Sequence, residues 1–145
     1  MSITRTVTAA CSLTPEGAEL EGNCAWCAGP LPRTKAGNIP KGRVFCKKAC
    51  SDLFSLNHNW SWARRAAVRR DKGQCIQCGV SERKPPYAKL EVNHIHSLAD
   101  QGMRGYAFGC HHHLDNLETL CRPHHVEVTT EQRRARKERS ESAST

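Results

Sequence analysis

The sequence predicts a small α+β protein closed by bound metal instead of by a large apolar core, and three observations predict it. Apolar residues make up 38% of the 145, below the roughly 45–50% usual for soluble domains, so core burial alone leaves little to hold the fold. Nine cysteines supply another stabiliser, and most of them stand, with one histidine, in two sets at metal-ligand spacing. Two short apolar runs, one ending at Asn93-His94 and one following Asn116, read as strands, with helical stretches before and after them.

The compartment follows from the same features. Met1 to Ala10 is polar and threonine-rich, without the apolar stretch of a signal peptide. No run approaches the roughly 20 apolar residues of a membrane helix. The chain therefore reads as cytoplasmic, with no membrane partner, where thiols stay reduced and paired cysteines bind metal; a secreted, disulfide-stapled protein is the alternative. Net charge is +8 and the pI about 9.2, which favours a polyanionic partner, nucleic acid by default. A soluble protein with one charged face is the plainer reading.

Residues 1–22 mix Thr, Ser, Pro, Gly and Glu without apolar period and read as a disordered arm, in which Cys11 has no partner at ligand spacing. A zinc ribbon-like unit follows at 23–58. Cys24 and Cys27 form a C-x-x-C knuckle, and Cys46 and Cys50 supply a second pair about twenty residues on, at the start of a helix from Lys48 to Leu56. Four thiolates at this separation suit tetrahedral Zn2+. Residues 59–73 form a basic linking helix: Trp60, Ala63 and Ala67 make its inner stripe, Arg64, Arg65, Arg69 and Arg70 face outward as candidate phosphate contacts, and Gly73 stops it. Cys75 and Cys78 open a second knuckle whose Gly79 frees the turn. Its matching pair is Cys121 and His124, a Cys3His set for a second structural Zn2+. Leu98 to Cys110 is a Gly-containing loop, and His111, His112 and His113 with Cys110 read as solvated, an accidental third metal site being the alternative. Pro123 fits the first turn of a last helix. That helix runs to Arg139, with Arg133 and Arg134 in its basic end, and 140–145 is a disordered tail.

The stretch from Asp71 to Arg136 resembles an HNH endonuclease of the ββα-metal type. The residues that carry the resemblance are C-x-x-C-G at Cys75–Gly79, V-N-H-I at Val92–Ile95, D-N-L-x-T-L-C at Asp115–Cys121, and His124-His125. The leading four-cysteine unit resembles the extra zinc ribbon placed before some of these modules, so the resemblance implies an N-terminal ribbon followed by an HNH ββα-metal module at 74–139. It implies hydrolysis of DNA phosphodiesters, in a bacterial cell or a phage-infected host. It makes His94 the general base, Asn116 the brace of the loop that aims it, and His125 a ligand of a catalytic divalent cation, Mg2+ or Mn2+ by hardness. Many family members carry Asp or His before the base; here it is Asn93, whose amide oxygen can still coordinate but without charge. His96 lies beside this site, and Asp115 braces the loop around Asn116. A non-catalytic zinc protein that binds nucleic acid is the first rival, and a zinc-folded protein-interaction module the second. Oligomeric state is not legible.

Overall fold

The computed structural model describes residues 3–99 and 108–144. The chain runs through α1 (Ile3–Ala9), α2 (Lys48–His58), α3 (Trp60–Arg70), β1 (Leu90–His94), β2 (Leu117–Cys121) and α4 (Arg122–Ser142). Short 3-10 turns at Cys110–His112 and Leu114–Asn116 lead into β2. Among the described residues there is one sheet, the antiparallel pair β1–β2, in the register Leu90↔Cys121 to His94↔Leu117. This is a small mixed protein of helices around a two-stranded ribbon, as the two apolar runs predict.

Such a ribbon is not stable alone, and α3 and α4 both pack on it. Ala63 and Ala67, without exposed surface, let the α3 backbone approach Val92 and Leu117, while Trp60, Val68 and Leu114 fill the edges. The stripe of Trp60, Ala63 and Ala67 is thus the packed one. From α4, Val128 reaches a cluster of Cys75, Leu90, Leu120 and Cys121. A third cluster gathers Cys24, Leu31 and Cys50 with Trp26, Ile39 and Phe45. Each is too small to stand as a core, and two of the three are built on cysteines.

Asn59 both ends α2 and caps α3. Its backbone is extended and its Oδ1 accepts from Trp62 N at 3.4 Å. Gly109 N donates to His58 O at 2.8 Å, drawing the Cys110 turn onto this joint. Only glycine fits there, because an added Cβ would stand 2.6 Å from His111 Cε1.

Two sequence expectations are corrected. The described part of the arm, 3–22, is ordered: it folds into α1 and a series of turns docked on the first knuckle. The Arg5 guanidinium, buried, donates to the carbonyls of Ala18 and Asn23, and Thr8 Oγ1 donates to Ala25 O at 3.1 Å. One charged side chain satisfied by backbone carbonyls leaves no periodic trace in the sequence. At the other end α4 continues to Ser142, with Ser142 Oγ donating to Glu138 O at 2.9 Å, so the first half of the expected disordered tail is helical. The first two residues of the arm, loop positions 100–107 and the last tail residue lie outside the described residues. No described helix is long and apolar enough to cross a membrane.

Candidate metal centres and the histidine cleft

The two knuckles share one backbone geometry. Cys24 N donates to Gly29 O at 2.7 Å and Ala28 N to Cys24 O at 3.0 Å; Cys75 N donates to Val80 O at 2.9 Å and Gly79 N to Cys75 O at 2.8 Å. In both, the fourth residue after the first cysteine is left-handed, Ala28 at φ 57° and Gly79 at φ 74°. Burial raises the pKa of the Cys24 and Cys75 thiols, but hydrogen bonds from surrounding backbone N–H groups outweigh it and bring both down to about 6. Both are thus thiolates at neutral pH, the form that binds metal.

The side chains converge as the spacing predicts. In the first set Cys46 Sγ lies 3.7 Å from Cys27 Sγ and 3.5 Å from Cys50 Sγ, with Cys50 and Cys27 3.8 Å apart. In the second, Cys78 and Cys121 are 3.8 Å apart, and His124 Nδ1 lies 3.4 Å from Cys75 Sγ and 3.2 Å from Cys121 Sγ. Disulfide sulfurs sit at about 2.05 Å. A tetrahedron around an ion with bonds of about 2.3 Å has edges of roughly 3.8 Å. The sets Cys24, Cys27, Cys46, Cys50 and Cys75, Cys78, Cys121, His124 could each hold a metal ion.

A third convergent group, Cys11, His58, Cys110 and His113, has the same property. The sequence reading gives Cys11 no role and leaves His111 to His113 in a solvated loop. The structure corrects both: the three histidines are 3, 2 and 8% exposed, and Cys11 is buried. The cause is the joint after α2, which pulls the turn inward.

Three of the remaining histidines, His94, His112 and His125, line a cleft of about 530 Å³ together with Trp60, Asn93 and Gln132, among others. β1 ends in it with His94, and α4 contributes His125 from its first turn. Trp60 stacks on the His94 ring, centroids 4.9 Å apart. His94 Nε2 lies 3.0 Å from His112 Nδ1. Burial, with the nearby His111, pushes His94 down to about 4, so its ring is neutral at physiological pH. His125 Nδ1 is hydrogen-bonded to the Glu91 carboxylate. Asn93, 6% exposed, donates from Nδ2 to Glu118 Oε1 at 2.9 Å across the strands. Asn116 bridges the flanking loops: its Oδ1 accepts from His96 N at 2.8 Å, and its Nδ2 donates to His111 O at 2.9 Å and His96 O at 3.3 Å. Asp115 is exposed and opens this turn. Gln132 Nε2 donates to His94 O at 2.9 Å and Ile95 O at 3.0 Å, tying α4 to the end of β1.

The basic residues divide. Arg64, Arg65 and Arg69 are exposed on α3 and share a shallow groove with Arg83. Arg133 and Arg134 are exposed on α4, with Arg134 3.0 Å from Glu138. Arg70 is committed to the protein: it pairs with Asp71 at 2.8 Å and donates to Leu114 O and, at 2.7 Å, to Leu117 O.

Sequence reasoning missed Cys11, His58, Cys110 and His113 as a group, and missed Glu91 and His112 as neighbours of His125 and His94. Spacing carries no signal for residues 47 or 102 positions apart. Arithmetic does: once the two predicted sets are filled, Cys11 and Cys110 are the thiols left over. No family model, curated protein or solved structure matches the chain.

Proposed function

We propose that the protein is a metal-dependent endonuclease of the HNH type that hydrolyses DNA phosphodiesters, with β1, β2 and the start of α4 as its ββα module and zinc in the two knuckle sites. The observation that carries this reading is that Asn93-His94 at the end of β1 and His125, about thirty residues on, line one cleft with room for a cation and a phosphate.

The cleft's donors fit a hard divalent cation, Mg2+ or Mn2+. The Glu91 carboxylate on His125 Nδ1 fixes the tautomer that leaves Nε2 as the ligand atom. The bond from Asn93 Nδ2 to Glu118 leaves Oδ1 for the cation. A cation held there supplies positive charge to the leaving oxygen. His94 does the proton transfer. Its Nε2 is hydrogen-bonded to His112 Nδ1, and in the tautomer that carries the hydrogen on Nε2 the ring keeps Nδ1 unprotonated to take a proton from the attacking water. Trp60 stacked on the ring, and Asn116 and Gln132 bonded to the backbone on either side, hold the base in position. Arg64, Arg65, Arg69, Arg133 and Arg134 grip the sugar–phosphate backbone, a sequence-independent contact.

The test is a supercoiled plasmid incubated with the protein and Mg2+ or Mn2+. Nicking by the wild type, reduced at least about 100-fold in His94→Ala with DNA binding retained, supports the enzyme. Binding without nicking in every metal supports a non-catalytic binder, the reading that the uncharged Asn93 favours. Little salt-dependent affinity for DNA would leave only a zinc-folded protein-interaction module.

A further inference from the structure

We infer that Cys11, His58, Cys110 and His113 bind a third structural zinc ion, which ties the N-terminal arm and the α2–α3 joint to the turn beneath the cleft. Neither of the zinc sets read from spacing contains these residues, and the site stands whether or not the cleft cuts DNA.

The four ligand atoms converge as a Cys2His2 site requires, all within 4.8 Å of one another, with Cys110 half-buried. Cys11 Sγ lies 3.2 Å from His58 Nε2 and 3.5 Å from His113 Nε2, and the two Nε2 atoms are 3.2 Å apart. Zinc bonds of about 2.0–2.1 Å to nitrogen and 2.3 Å to sulfur give tetrahedral edges of roughly 3.4 Å between nitrogens and 3.5 Å between nitrogen and sulfur. Both histidines present the same atom, Nε2, to one point. The His58 tautomer is set for this, because its Nδ1–H donates to Phe54 O at 2.8 Å and leaves Nε2 with the lone pair. Around the group stands an apolar and aromatic wall: Phe54 stacks on His58 with centroids 4.2 Å apart, and Trp26 and Phe108 pack at 6.3 and 6.4 Å. His58 has no exposed surface, and Cys11 and His113 are below a tenth exposed. Cys11, His58 and His113 are buried with Sγ and Nε2 atoms directed at one point, and one cation can take the lone pairs of all four groups at once. A zinc ion is that cation. It also accounts for the cysteine inventory, since all nine then serve as ligands in three sites and none is left over.

The four ligands come from three separated segments. Cys11 follows α1, His58 ends α2, and Cys110 and His113 bracket His111 and His112. Closing this site orders the arm and holds the turn that carries His112 to His94.

Zinc K-edge absorption on the full, unmutated chain, with zinc counted by native mass spectrometry, decides the matter without a variant that could misfold. Three ions per chain, with an average shell of nine sulfurs to three nitrogens, are expected. Two ions with seven sulfurs to one nitrogen would overturn the proposal, as would a Cys11–Cys110 disulfide found by mass. As a second measurement, Cys110→Ser should lose one zinc and keep two, and amide exchange should rise together at residues 3–11 and 108–113. Retention of three ions by that variant would contradict the assignment.

Discussion

Burial changes what His94 can do. Taking the ring out of water, next to His111, lowers its pKa to about 4 against the usual value near 6.5. A base of this kind stays neutral on mild acidification, so the rate of nicking should hold within about twofold from pH 7.5 to 5.5, where an unperturbed histidine would already be largely protonated. A rate–pH profile bending near 6.5 would contradict this. The sign for stability is opposite to that of a salt-bridged histidine. The unfolded ring binds a proton below about 6.5 and the folded one only near 4, so this contribution is present above 6.5 and is lost as pH falls through that window. Asn93 lacks the charge of a carboxylate, and Asn93→Asp should raise cleavage at limiting Mg2+; equal or lower activity would reject its role as a ligand. Ala28 has the left-handed backbone that Gly79 adopts in the other knuckle. Ala28→Gly should therefore stabilise by about 0.5–1 kcal/mol, read as a shift in denaturation midpoint. These positions were legible to different degrees. His94, Asn116 and His125 stood out by their motif, and so did the knuckle cysteines by spacing. Glu91 and His112 did not, because a hydrogen bond made across a fold has no period in the chain.

Arg70 shows how an element can be right while one of its side chains is misread. The stripe of α3 was legible because small residues recur at helical spacing, and the four arginines outside it looked equivalent. Arg70 is not, because the helix ends beside β2 and its guanidinium reaches the carbonyls of Leu114 and Leu117. Asp71 completes the clamp, its Oδ2 accepting from Thr119 N at 3.1 Å. Burial pushes the Asp71 carboxyl up, but the bonds from Arg70 and Thr119 prevail and hold it below the usual carboxylate range. Arg70→Ala should thus cost about 1–2 kcal/mol of stability, since the half-buried bond to Leu117 O and the pairing with Asp71 are both lost. Arg69→Ala should leave stability within about 0.5 kcal/mol and instead weaken DNA binding with a shallower salt dependence. Paired melting and filter-binding curves separate the two; equal effects of both variants on stability would refute the clamp. The 3-10 turns before β2 were illegible for a related reason. The burial of the Cys110–His112 turn goes with Gly109 bonding to His58, a contact between segments about fifty residues apart.

Two of the three small apolar clusters are gathered on cysteine groups, so the stability of the molecule should follow metal. Structural zinc in small modules contributes roughly 10–16 kcal/mol of apparent binding energy, comparable to the whole stability of a domain. Removing the metal with a strong chelator at neutral pH should unfold the chain in one cooperative step, reversed by Zn2+; a chelated protein with unchanged circular dichroism would contradict metal closure. The proposed function asks something narrower of the molecule, that one cation sits between the end of β1 and the start of α4. Histidine side-chain NMR of the zinc-loaded protein during a Mn2+ titration reads this. Substoichiometric Mn2+ should broaden the His94 and His125 ring signals together and leave His124 broadened less. Loss of neither signal, or of one without the other, would mean that no cation sits between the two imidazoles.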